Sequence, residues 1–136
     1  YNINSSNNAN EFYLTDTFTF DANVEAKLYE DKSAFLGIND LYQLSIADQK
    51  LRKRNTMNLM IEGVRFIDPN HSYVYSSSIK QGTLIYPNVH IDSDCAIGEN
   101  VIIEPGCIIK NSIIDDNVTL KAYTYIANSK VSKGLT

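Results

Sequence analysis

The sequence predicts a mainly β chain: a parallel β-helix of hexapeptide repeats, preceded by a long connecting α-helix and by the remnant of an α/β domain. Three observations predict it. An aliphatic residue recurs every six positions from about Ile79 to Lys130. Turn-forming residues fall between those positions. A helical stretch from Asp40 to about Glu62 leads into the repeat.

The aliphatic series runs Ile79, Ile85, Ile91, Ile97, Ile103 and Ile109, contracts to a spacing of five at Ile114, and returns to six at Leu120 and Ile126. A small or β-branched residue follows most of these by four: Thr83, Val89, Cys95, Val101, Cys107, Val118 and Thr124. A period of six fits neither a helix nor a flat amphipathic strand. It fits a short strand plus a corner, repeated on each face of a triangular prism. Three hexads make a coil, so residues eighteen apart stack at the ordinary interstrand distance of ~4.8 Å. Ile79 should then lie on Ile97, and Ile85 on Ile103. The corners carry turn formers: Pro87-Asn88, Asp92-Ser93, Gly98-Glu99-Asn100, Pro105-Gly106 and Asp115-Asp116-Asn117. The region holds about three coils, and its last coil shows no cap. The chain is expected to continue past Thr136.

The helix reads from Asp40, a suitable cap, with Gln43 three residues on completing a capping-box-like pair. Leu41, Leu44, Ala47 and Leu51 mark one face, continued with a phase slip by Met57, Met60 and Ile61. Gly63 ends it. Such a helix spans ~34 Å, and its middle is polar, which suits an arm joining two domains. Val64, Phe66 and Ile67 form a short strand closed by Asp68-Pro69-Asn70. Upstream, Glu11–Asp16 with Phe18, Phe20 and Val24 reads as a helix, and Ala26–Phe35 as a strand and turn. So short a stretch cannot bury a core alone. It should belong to a larger α/β domain.

Few residues are candidates for chemistry. Cys95 and Cys107 occupy the same repeat position and read as buried small residues. As free thiols they suit a reducing compartment. His90 falls at an outward position and His71 in a DPNHSY loop. Neither has a partner at metal-ligand or triad spacing. The net charge of −4 argues against nucleic acid, which clustered Lys and Arg bind. The one basic cluster, Lys50, Arg52, Lys53 and Arg54, reads as a solvated helix face. No apolar run approaches the ~18 residues of a membrane span. The polar opening YNINSSNNAN, starting at Tyr1, is neither a signal peptide nor a native start, so the chain reads as a piece of a longer protein.

The ordered set of NNANEFYLTD, GIND with its helix, EGVRFIDP, and then IYPNV and IIKNSII resembles one family. It is that of the bacterial bifunctional N-acetylglucosamine-1-phosphate uridylyltransferase/glucosamine-1-phosphate N-acetyltransferases, and the resemblance covers almost the whole chain. It implies a division into residues 1–39, the tail of a Rossmann-like uridylyltransferase domain; 40–63, a helical arm; and 64–136, the first coils of an acetyltransferase β-helix. Likeness to known hexapeptide proteins implies left-handed coiling, against the usual right-handed crossover. The resemblance also implies acetyl transfer from acetyl-CoA, uridylyl transfer from UTP to a sugar phosphate, a homotrimeric parent and a cytoplasmic setting for cell-wall precursor synthesis. It places a Mg²⁺ ligand at Asn39, the Asn of the family's G-V-N motif, here Gly37-Ile38-Asn39. A hard oxygen donor suits that ion, while a helix cap is the purely structural use of the same residue. The family's nucleotide-binding loop, first metal-binding Asp and catalytic His match no residue here, so the chain itself should be inactive. Two other readings share the repeat: another sugar-1-phosphate nucleotidyltransferase carrying a β-helix, and a non-enzymatic trimerisation scaffold.

Overall fold

The computed structural model describes residues 37–133 and the single positions 5, 25, 27, 28, 30 and 35. The chain divides into two units, Tyr1–Leu36 and Gly37–Thr136. The helix, strand and turn expected before Leu36 lie outside the described residues, those single positions apart. The second unit is one α-helix followed by a parallel β-helix of about four coils.

Helix α1 spans Leu41–Ile61. Asp40, in extended conformation, caps it by accepting from the Gln43 N–H at 2.7 Å. The returning bond is displaced by one residue from the expected box: Gln43 Oε1 accepts from the N–H of Asn39, not of Asp40, at 2.7 Å. At the far end the Gly63 N–H bonds Met60 O at 3.2 Å and the Val64 N–H bonds Leu59 O at 2.9 Å. Gly63 takes a φ of 96°, which only glycine adopts readily. These two bonds make a Schellman stop.

Eleven strands of two or three residues follow among the described residues. One sheet holds β1 (Arg65–Phe66), β3 (Leu84–Ile85), β6 (Ile102–Ile103) and β9 (Thr119–Leu120). The second holds β2 (Tyr73–Val74), β4 (His90–Ile91), β7 (Ile108–Lys110) and β10 (Tyr125–Ala127). The third holds β5 (Ala96–Ile97), β8 (Ile113–Ile114) and β11 (Lys130–Val131), with Ile79 bridged to Ile97 at its start. All pairings are parallel. Ile79 stacks on Ile97 and Ile85 on Ile103, as the period requires.

The axis is filled by Val74, Ile79, Ile85, Ile91, Ile97, Ile103, Ile109, Ile114 and Leu120, all buried. Burying one such side chain contributes about 1.5–3 kcal/mol. The small-residue positions Thr83, Val89, Cys95, Val101, Cys107 and Val118 are buried as well. Corners turn on left-handed residues: Gly82, Asn88, Asn100, Gly106, Asn111, Asn117, Tyr123 and Asn128 all have positive φ.

The spacing of five at Ile114 has a structural cause. Coil register is eighteen at Ile85↔Ile103 and becomes seventeen at Ile103↔Leu120 and Ile114↔Val131. The corners Lys110-Asn111-Ser112 and Ala127-Asn128-Ser129 are each tightened by one residue, and they stack. Asn111 Nδ2 donates to Asn128 Oδ1 at 2.8 Å, and the Ser129 N–H to Ser112 Oγ at 3.1 Å.

The coils begin at Arg65, one coil ahead of the stretch from about Ile79 in which the period of six is visible, so there are about four in all. The first coil hides its period because Val74 follows Phe66 by eight positions at one corner and Ile79 follows Val74 by five at the next. A 3₁₀ turn, Pro69–His71, fills the first of these corners, and Asp68 caps it by accepting from Asn70 N and His71 N at 3.1 and 3.3 Å. The apolar positions that mark one face of the helix are largely exposed, Leu41 at 83% and Ile61 at 79%. The residues that meet the first coil are Asp48, Arg52, Asn55, Thr56 and Leu59, of which only Leu59 is a hydrophobe. The open end of a β-helix presents backbone polar groups, and polar side chains answer them. No helix among the described residues is long and apolar enough to cross a membrane.

Candidate functional site

Asn39 lies at the entrance of α1 and is exposed. Asp40 takes the capping role. The Asn39 backbone N–H is bound by Gln43, and its side chain makes no hydrogen bond among the described residues. Its carboxamide oxygen is thus unengaged among the described residues. Among the described residues no cluster of three His, Cys, Asp or Glu could hold a metal.

The two histidines are separate. His71 sits on the 3₁₀ turn with Nδ1 2.7 Å from Asp68 Oδ2. That hydrogen bond is the main cause holding the Asp68 carboxyl below its usual range. His90 projects outward from β4, with Nε2 2.8 Å from Asp92 Oδ1. Its ring stacks on Tyr73 at 6.2 Å between centroids and tilts against Tyr75 at 5.8 Å. The sequence reading gave neither histidine a partner at metal-ligand or triad spacing. The structure supplies each with a carboxylate, Asp68 and Asp92, and among the described residues pairs neither imidazole with a nucleophile.

What the sequence did not reveal is the network joining α1 to the second sheet. The Arg52 side chain is only 14% exposed; its guanidinium bonds Asp48 through Nε at 2.8 Å and lies 4.5 Å over the Tyr73 ring. The Tyr75 hydroxyl donates to Asp48 Oδ1 at 3.0 Å. Burial and that carboxylate both push the Tyr75 phenol up, burial most. Beside the network lies a cleft of about 530 Å³ between Arg52, Arg54 and Asn58 on the helix and Tyr75, Asp92 and Asp94 on the coils. The Asp48–Arg52 pair was readable as an i, i+4 pair. Its partners Tyr73 and Tyr75 were not, because the period of six that places side chains on the coils does not run through the first one.

Residues 76–111 match the family model for the bacterial transferase hexapeptide (six repeats). Across nearly the whole chain the similarity is to proteins named Bifunctional protein GlmU. The one from Thermodesulfovibrio yellowstonii is 40% identical over 134 residues, covering 95% of this chain and 30% of that protein. That from Geotalea uraniireducens is 40% identical over 126 residues, 89% and 28% of the two chains, and that from Rippkaea orientalis 35% over 133 residues, 97% and 29%.

The chain is GlmU-like.

It spans about 30% of the length of these curated relatives. The family-model match covers the coils from Ser76 to Asn111 and excludes α1 and Asn39. Within the matched part of this GlmU-like segment, both thiols are buried. Cys95 Sγ donates to Ile109 O at 3.3 Å and Cys107 Sγ to Lys121 O at 3.1 Å. Burial pushes both thiols up, away from the thiolate form that reacts. They are wall residues of the prism.

Proposed function

We propose that this segment belongs to a bifunctional enzyme that acetylates glucosamine 1-phosphate from acetyl-CoA and then transfers a uridylyl group from UTP, giving UDP-N-acetylglucosamine for the cell wall. The single observation that carries the reading is similarity to bifunctional GlmU proteins over 95% of the chain, with a hexapeptide transferase model inside it. Residues 1–39 are the tail of the uridylyltransferase domain, 40–63 the arm, and 64–136 the first coils of the acetyltransferase domain. Left-handed coiling goes with this reading. So does a homotrimer, favoured by the exposed outward side chains of Ile102, Ile108 and Ile113. Work in the reducing cytoplasm suits two free cysteines.

Asn39 is the metal ligand of this reading. Its side-chain oxygen, unengaged among the described residues, is a hard donor, and Mg²⁺ needs only one or two ligands from protein beside substrate phosphates. What the ion supplies when bound is neutralisation of phosphate charge during phosphoryl-group transfer. Asp40 and Gln43 fix the backbone on which Asn39 is carried.

The chain alone catalyses neither step. Given UTP, Mg²⁺ and N-acetylglucosamine 1-phosphate it releases no pyrophosphate, and given acetyl-CoA and glucosamine 1-phosphate it releases no free coenzyme A. The full-length protein does both. A full-length protein that lacks either release sinks the bifunctional reading. In that protein, Asn39→Ala should cut pyrophosphate release by about 100-fold, the loss of a few kcal/mol of charge stabilisation, and leave coenzyme A release unchanged.

A further inference from the structure

The end of the β-helix beneath α1 is closed by a side chain. Among the described residues β2 is the edge strand of its sheet, paired on one side only, with β4. The Tyr73 and Tyr75 N–H groups serve that neighbour, bonding Val89 O and Ile91 O at 2.9 Å each. In a parallel strand alternate residues address opposite neighbours. Val74 and Ser76 therefore face the open side, where a preceding coil would lie. Asn55 Nδ2 donates to both of their carbonyls, at 3.0 Å each. One amide thus occupies two acceptors two residues apart, a pair that an incoming parallel strand would address.

The strand that fits this edge is one of the chain's own. Tyr73-Val74, His90-Ile91, Ile108-Ile109 and Tyr125-Ile126 share one alternation, with the first residue outward and an aliphatic on the axis, and each is already in register with the next. A strand of the same kind from a second copy would meet β2 with matching spacing and side chains. The cover is also displaceable. Around Asn55 the helix is held by Asp48 on Tyr75 and Arg52 on Tyr73, with Thr56 and Leu59 its buried residues. Hydrogen bonds of this kind exchange with water at a small net cost, and unprotected strand edges recruit other chains.

We propose that Asn55 is a strand surrogate: it keeps α1 over β2 and so denies the first coil's edge to an extended strand of a second copy of this chain.

The test compares the wild-type chain with Asn55→Leu and Asn55→Asp, neither of which can donate to the two carbonyls. Sedimentation velocity over a range of concentrations reads association, and amide hydrogen exchange reads α1 and the coils separately. Expected is a weight-average mass at least twofold above wild type at the highest concentration, with faster exchange in α1 and unchanged protection at Ile103 and Ile109. Tyr75→Phe, which drops the Asp48 contact but keeps the amide, should speed exchange in α1 without raising the mass. Variants that keep protected coils and sediment as wild type does would overturn the proposal. Should the Asn55 variants lose protection in the coils, the wild type in mild urea decides. Where α1 exchanges fast and the coils stay protected, the mass must rise, and a constant mass overturns the proposal.

Discussion

At Gly98 two coils touch with no room for a methyl group. A Cβ built there would lie 2.6 Å from the Asp116 nitrogen and 2.8 Å from the Asp115 carbonyl carbon. These are backbone atoms of the next coil, itself tied to this corner by Gly98 N→Ile114 O at 2.8 Å and Glu99 N→Asp116 Oδ1 at 2.8 Å. Gly98→Ala should destabilise by about 1–3 kcal/mol, the usual cost of overpacking, seen as a lower urea midpoint at unchanged slope. The thiols give a second prediction at this scale. In the native chain at pH 8 Cys95 and Cys107 should react with a disulfide reagent about 100-fold or more slowly than in urea, since burial both hides them and raises their ionisation. Their burial was legible, because the repeat assigns both to the same inward position. The role of Asn55 was not. An Asn in the polar middle of a helix looks solvated until one knows that two orphan carbonyls lie opposite it.

Among the elements, α1 shows how boundary and face are encoded differently. Its ends follow from local chemistry, Asp40 at the start and Gly63 at the stop, and both were readable. Its packing face depends on what it meets. Leu41 and Leu44 lie on the same side as Leu59 at helical periodicity, yet only Leu59 reaches the coils and is buried, while Leu41 and Leu44 are exposed. Leu59→Ala should therefore cost about 2–5 kcal/mol. Leu44→Ala should cost within about 0.5 kcal/mol, both measured by chemical unfolding of this chain. The 3₁₀ turn at Pro69–His71 was the element that defeated the period. Its two extra residues, together with a step of five from Val74 to Ile79, placed the first coil out of phase with the hexads, although Asp68-Pro69-Asn70 was recognised as a turn.

Across the whole molecule, coil-to-coil contacts respond to pH. Glu104 Oε2 accepts from Ala122 N at 2.9 Å and Oε1 from Lys121 Nζ at 3.2 Å, linking one coil to the next. The Ala122 N–H first, and Lys121 second, hold its carboxyl below the ordinary value of 4.5. A carboxyl depressed on folding contributes stability that is full above its unfolded value and is lost as pH falls through the folded one. The chain should therefore lose stability as pH drops below about 4.5. Glu104→Gln should flatten that part of a melting-temperature profile while leaving the decline from Asp68, whose carboxyl is held below its own ordinary value of 3.8. Unchanged slopes in the variant would assign the acid response elsewhere. The period of six made most of this assembly readable, including which aliphatic residues stack. Asn39 was reached by resemblance alone, since one exposed Asn beside a helix cap carries no pattern of its own.

The corners of this prism hold between five and eight residues from one axial side chain to the next, and the coil register varies from seventeen to nineteen, yet every pairing they join is parallel and sets one axial side chain on another. Residue count and axial length are thus uncoupled. Each coil advances the chain by about 4.8 Å whatever its corners contain, so β9 stands about 14 Å along the axis from β1. The β-helix is a ruler graduated in coils. Residues added at a corner would bulge sideways and leave the mark where it was, and only a whole coil gained or lost would move whatever is mounted beyond it.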